Sequence, residues 1–145
     1  MRFNSLIPEL RTSDFAKSLE FYTKILGFKI EYERKESQFA FLSLEGTQIM
    51  IEQNTSEWNT GKLEYPYGRG IHLQIKVKSI NTLLTSLKKY NYEIYVEPFE
   101  RWYKIKNNLC GLRQFLVKDP DGYLLRFAED LGIKTSVVQN NTGVT

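Results

Sequence analysis

The chain has 145 residues, 41% of them apolar and 26% charged, with 20 basic against 17 acidic side chains for a net charge of +3. That balance suits a single globular domain with room for a core. It excludes a membrane-spanning helix, because no apolar run approaches the ~20 residues required. Nucleic acid is not an expected partner either: the basic residues are scattered, densest at Lys88-Lys89 and Lys104-Ile105-Lys106, with no basic stripe or binding motif. The start, MRFNSLIPEL, lacks the apolar stretch of a secretory signal, and Cys110 has no second cysteine to pair with. A reducing cytoplasm is the location these features lead one to expect.

Along the chain, Leu6 to Arg11 is a short apolar stretch broken by Pro8, which suits an edge or first strand. Thr12-Ser13-Asp14 offers helix caps, and Phe15, Ala16, Leu19, Phe21, Tyr22, Ile25 and Leu26 then recur at helical spacing up to a terminating Gly27. Strands are expected at Phe28–Glu33, Phe39–Leu44 and Thr47–Glu52, the last two joined by a Glu45-Gly46 turn. Residues 54–68 are polar and rich in turn formers, a connecting loop that nevertheless carries Trp58, Tyr65 and Tyr67.

The same order then returns. A β-branched strand over Ile71–Val77 leads to a helix with Ile80, Leu83, Leu84 and Leu87, capped by Ser79 or Asn81. Strands follow at Tyr92–Val96 and Leu112–Val117, and Asp119-Pro120-Asp121-Gly122 turns into Tyr123–Phe127. A shift of 65 positions lays Gly70–Val77 on Ser5–Thr12 and Leu84 on Leu19. The expected architecture is therefore α/β (α+β): two tandem βαβββ modules, about 1–53 and 69–131, inside one domain over 1–132. Residues 133–145 show no amphipathic pattern and are expected to be a mobile tail.

Two stretches carry a family likeness. LIPELRTSDFAKSLEFYTKILGFKIEY, residues 6–32, resembles the opening of the bleomycin-resistance proteins, and RQFLVKDPDGYLLRF, residues 113–127, resembles the closing hairpin of the wider glyoxalase/bleomycin-resistance/dioxygenase (vicinal oxygen chelate) superfamily. The likeness runs over roughly residues 5 to 130. It implies modules whose mixed sheets curl into half-open cups, and homodimers whose clefts are lined by both chains. Pro8 matches a proline whose strand is exchanged between partners in the resistance branch.

Metal-dependent members of the superfamily place four ligands at positions that match Ile7, Glu52, His72 and Arg126. A divalent ion wants three or four N or O donors, and an aliphatic side chain and a permanent cation supply none. The expectation is therefore no metal and no cofactor. His72 alternates with Gln74 and Lys76 on its strand, opposite Ile71, Leu73, Ile75 and Val77.

An organic-ligand site needs aromatic walls and a few placed polar groups. Tyr32, Phe39, Phe41, Trp58, Trp102 and Tyr103 are the candidate walls, Glu52, His72 and Arg126 a polar floor, and Gln114 a hydrogen-bonding neighbour. Phe39 and Phe41 serve equally as strand core; Trp58 and Trp102 lie in polar surroundings where a large ring needs a reason. The resemblance implies a non-catalytic protein that sequesters bleomycin-type drugs, or a similar planar molecule, by stacking. The alternative is a metal-dependent glyoxalase-, lyase- or dioxygenase-type enzyme of the same fold.

Overall fold

The computed structural model describes residues 1–135, and these form two units, each built on an open, uncurled four-stranded mixed sheet. The first takes in Met1–His72 together with Lys118–Leu124. It opens with β1 (Glu9–Thr12), followed by α1 (Phe15–Glu20), which widens into a π-helical turn over Phe21–Ile25. Asp14 caps α1 by accepting a hydrogen bond from the Lys17 N–H, as its position before the helical periodicity predicts. The turn after the π segment needs a left-handed residue, and Gly27 supplies it at φ +83°.

Then come β2 (Lys29–Arg34), β3 (Phe39–Leu44) and β4 (Thr47–Gln53), and the sheet order is β1-β4-β3-β2. β1 lies parallel to β4, with Arg11 opposite Glu52, while β3 runs antiparallel to both β2 and β4. Strand alternation puts Leu10, Ala40, Leu42, Ile49 and Ile51 on the face that α1 covers, with Phe15, Phe21, Tyr22 and Leu26 buried beside them. Each such large apolar side chain contributes about 1.5–3 kcal/mol by leaving water.

The Lys118–Leu124 turn belongs to this first unit. Asp119 is buried there; its Oδ2 accepts from the Tyr22 hydroxyl at 2.8 Å, and its Oδ1 accepts from the N–H groups of Asp121 and Tyr123. The Tyr123 hydroxyl donates to the Arg11 carbonyl at 3.1 Å, and the Asp121 carboxylate accepts from the Ser13 N–H and hydroxyl. This knot of local and long-range bonds holds the end of β1.

The second unit repeats the plan: β5 (His72–Val77), α2 (Asn81–Lys89), β6 (Val96–Ile105), β7 (Asn108–Lys118) and β8 (Leu124–Thr135), with β5-β8-β7-β6 as the sheet order. The order matches that of the first sheet strand for strand, so the internal repeat read from the sequence is present in the topology. β8 continues to Thr135, which places Ile133–Thr135 of the expected tail in a strand. The rest of that tail lies outside the described residues.

β6 departs most from expectation. A strand was expected at Tyr92–Val96, yet the long edge strand starts at Val96 and carries Trp102 and Tyr103 within it. Its sequence, VEPFERWYKI, is charged and contains Pro98, features that disguise a strand. They are tolerated because β6 is an edge, and the register shifts between Val96 and Phe99 around the proline.

Candidate functional site

The open face of the first sheet is organised in rows across the strands. One row runs Arg11, Glu52, Phe39, Arg34; the next runs Glu9, Met50, Phe41, Tyr32. In the second row Tyr32 stacks on Phe41, with ring centroids 5.2 Å apart and planes 15° from parallel. The Arg34 guanidinium lies 3.9 Å above the Phe39 ring. These covers leave Phe39 and Phe41 only 2% and 1% exposed, so both rings are a buried floor rather than a wall for a ligand.

At the β1 end of the first row stands the strongest charge arrangement of this unit. The Arg11 guanidinium donates through Nη1 to Glu52 Oε1 at 2.5 Å and through Nη2 to the Glu57 carbonyl at 3.0 Å, with the Glu9 carboxylate 3.9 Å away. The side chains of Arg11 and Glu52 are 12% and 19% exposed, enough for contact with a small molecule. They line a cleft of about 570 Å³ whose other walls include Gln38 and Trp58. Trp58 is 83% exposed, as its polar surroundings predict.

Arg11 was missed in the sequence. Nothing local marks it, because its role comes from the parallel register that sets it opposite Glu52, 41 residues away. Ile7, the expected neighbour at the ligand position, precedes β1.

In the second unit Trp102 is not free to stack on a ligand; it is 8% exposed. Its ring lies on Gly111, its cross-strand partner, its Nε1 donates to Glu100 at 2.8 Å, and the Lys134 ammonium sits 3.8 Å from the ring. The ring is a structural plug that fills the space of a missing side chain. A Cβ on Gly111 would meet three ring carbons at 2.6 Å. Gly111→Ala is therefore expected to destabilise the fold by about 1–3 kcal/mol through overpacking. A urea titration followed by tryptophan fluorescence checks this, and an unchanged midpoint would remove Trp102 from the core.

The remaining expected residues fall as follows. His72 is exposed at the start of β5. Gln114 is fully buried and donates through Nε2 to the Tyr103 hydroxyl. Arg126 donates through Nη2 to Gln74 Oε1, while its Nε is buried and without a partner among the described residues.

These side chains do not fit a divalent metal. Glu52 is engaged by a guanidinium, position 126 carries a second one, and position 7 is aliphatic. Among the described residues no group of three His, Cys, Asp or Glu side chains converges. A cation placed beside either guanidinium would be repelled.

The fold and sequence together identify the family. Residues 3–127 match the Glyoxalase/Bleomycin resistance protein/Dioxygenase superfamily, and the chain belongs to it. It is 28% identical over 127 residues to a probable lactoylglutathione lyase of Vibrio parahaemolyticus, covering 83% of this chain and 86% of the relative. A probable lactoylglutathione lyase of Synechocystis sp. is likewise 28% identical over 126 residues, covering 83% and 90%. TioX from Micromonospora sp. ML1 superposes with a TM-score of 0.67 over 89% of this chain and 100% of its own, at 17% identity, which speaks for the fold alone.

The curated relatives overturn the reading of the chain as a non-catalytic drug sequesterer. That reading leaned on six candidate wall rings, and Phe39, Phe41 and Trp102 are buried. No helix among the described residues is long and apolar enough to cross a membrane.

Proposed function

We propose that this chain is an enzyme of the glyoxalase type, a lyase that relocates a proton beside a carbonyl, with the Arg11–Glu52 pair at its centre. The observation that carries the reading is the 2.5 Å contact between these two side chains at the edge of an open cleft. Support for the reaction class comes from the relatives named as probable lactoylglutathione lyases. A substrate of that class joins a three-carbon oxygenated fragment to a thiol through sulfur. Interconverting its hydroxyketone and thioester forms requires a proton to leave one carbon and reach its neighbour.

Such a shift needs a base within hydrogen-bonding reach and a positive group where negative charge builds on oxygen. Glu52 is the base, and Arg11 is the fixed charge that stabilises the developing oxyanion. Arg11 also positions the carboxylate, because its second nitrogen is tied to the Glu57 carbonyl and it therefore cannot rotate freely. Trp58 lines one side of the cleft and presents an exposed ring to a substrate entering it.

The test is a direct one. Recombinant full-length chain is mixed with methylglyoxal and glutathione, and thioester formation is followed by its ultraviolet absorbance. Turnover above the protein-free rate is expected, and a chelator leaves it unchanged because the donor set does not suit a metal. Absence of turnover in both chelated and zinc- or nickel-supplemented protein would refute the lyase reading.

A further inference from the structure

The stretch Asp119-Pro120-Asp121-Gly122-Tyr123 has the sequence of a plain turn, yet its side chains reach β1. β1 is the end strand of its sheet, with β4 on one side only. In that parallel pair the Met50 and Asn54 N–H groups donate to the carbonyls of Pro8 and Thr12. Alternation then turns the Arg11 carbonyl away from β4, to the free side of the strand. A four-residue strand bonded along one side alone frays easily. Here the Tyr123 hydroxyl fills the gap, donating to the Arg11 carbonyl at 3.1 Å. Just beyond, Ser13 gives its N–H, at 3.0 Å, and its hydroxyl to the Asp121 carboxylate.

The turn is anchored in its own right by residues 65–68. The Tyr67 N–H donates to the Asp121 carbonyl at 2.8 Å, and the Tyr67 ring meets the Tyr123 ring edge-on, centroids 5.7 Å apart. Gly68 lets the Tyr123 ring sit close, since a Cβ there would lie 2.7 Å from it. Burial pushes the Tyr123 hydroxyl up to about 12, so it stays a donor throughout the neutral range. A fixed donor on a fixed turn thus sets the backbone from which the Arg11 side chain projects. The guanidinium must meet Glu52 at 2.5 Å, and misplacing a catalytic group by even 1 Å can cost about 100-fold in rate.

We propose that Tyr123 is a positioning residue for Arg11: its hydroxyl holds the strand backbone so that the guanidinium stays on Glu52. Tyr123 takes no part in the proton transfer itself. The kinetic consequence rests on the lyase reading, and the geometric one does not.

The experiment compares Tyr123→Phe with Tyr67→Phe in the full chain. Both remove one hydroxyl from the same pair of rings, and among the described residues only the first hydroxyl bonds to β1. Nuclear magnetic resonance of the Arg11 guanidinium, assigned by its loss in Arg11→Lys, is the first readout. The native chain and Tyr67→Phe should show separate Nη signals, the mark of a guanidinium held against rotation. In Tyr123→Phe those signals should merge. With methylglyoxal and glutathione, Tyr123→Phe should lower kcat about tenfold and change KM less than about twofold. If Tyr123→Phe does not fold, Ser13→Ala serves instead: it removes only the hydroxyl bond to Asp121 and should broaden the same signals. Native Nη signals in the variant that folds overturn the proposal. So does native kcat in Tyr123→Phe, or an equal fall in kcat for Tyr67→Phe. A native chain without turnover refutes the lyase alone, and the guanidinium signals then decide.

Discussion

Glutamine at position 52 is expected to lower turnover of the methylglyoxal–glutathione adduct at least about 100-fold, the usual contribution of a positioned general base. The change is nearly isosteric and leaves an oxygen to accept from Arg11, so the 2.5 Å contact that shapes this corner of the cleft keeps both partners. What it removes is the lone-pair basicity needed to take a proton from carbon. The loss should fall on kcat, with KM changed only a few-fold, because the ground-state shape of the cleft is retained. Stability should fall by about 1–3 kcal/mol, since the pair is largely buried and the amide leaves the Arg11 guanidinium without its counter-charge. Glu52→Asp keeps a carboxylate but draws it back by one methylene, and an intermediate loss is expected. A Glu52→Gln protein with native kcat would move the base elsewhere, whatever its effect on KM.

The contrast between what was readable in advance and what was not follows the range of the interactions. α1, its Asp14 cap and its Gly27 terminator are local, set by spacing within a few turns, and they appear where the periodicity places them. So do the β3–β4 hairpin and the turn at Asp119. The edge strand β6 escaped because charges and a proline are what an edge strand tolerates, and they imitate a loop. Arg11 escaped because its meaning lies in a parallel register between distant strands. Trp102 misled for a related reason: its polar neighbours in sequence suggested exposure, while the residue that accommodates it, Gly111, lies on the next strand. In the candidate site, then, the acidic half of the central pair could be named from the sequence and the basic half could not.

Asp119→Ala should cost about 3 kcal/mol or more of folding stability, because it strands the Tyr22 hydroxyl and two backbone N–H groups in a buried position. In a chain of this length that corresponds to a fall in Tm of roughly 10 °C. The carboxyl has a second, opposing property: burial pushes it up to about 6, against the hydrogen bonds from Tyr22, Tyr123 and Asp121 that favour its ionised form. A carboxyl with a folded-state value above its unfolded one binds more protons in the folded chain, so the slope of stability against pH is negative between the two values. Its contribution is complete below about pH 4 and is lost as pH rises through about 6, a span worth roughly 3 kcal/mol. Asparagine at 119 keeps an oxygen for the two N–H groups and an amide to meet the Tyr22 hydroxyl, which can reverse its role from donor to acceptor. It should therefore hold most of the stability that alanine loses and abolish the titration. The decisive measurement is the difference in unfolding free energy between wild type and Asp119→Asn from pH 3.5 to 7, which cancels the other carboxylates. A difference that stays flat across that range would mean that the folded value equals the unfolded one, the hydrogen bonds cancelling the burial; a difference that rises with pH would mean that they outweigh it.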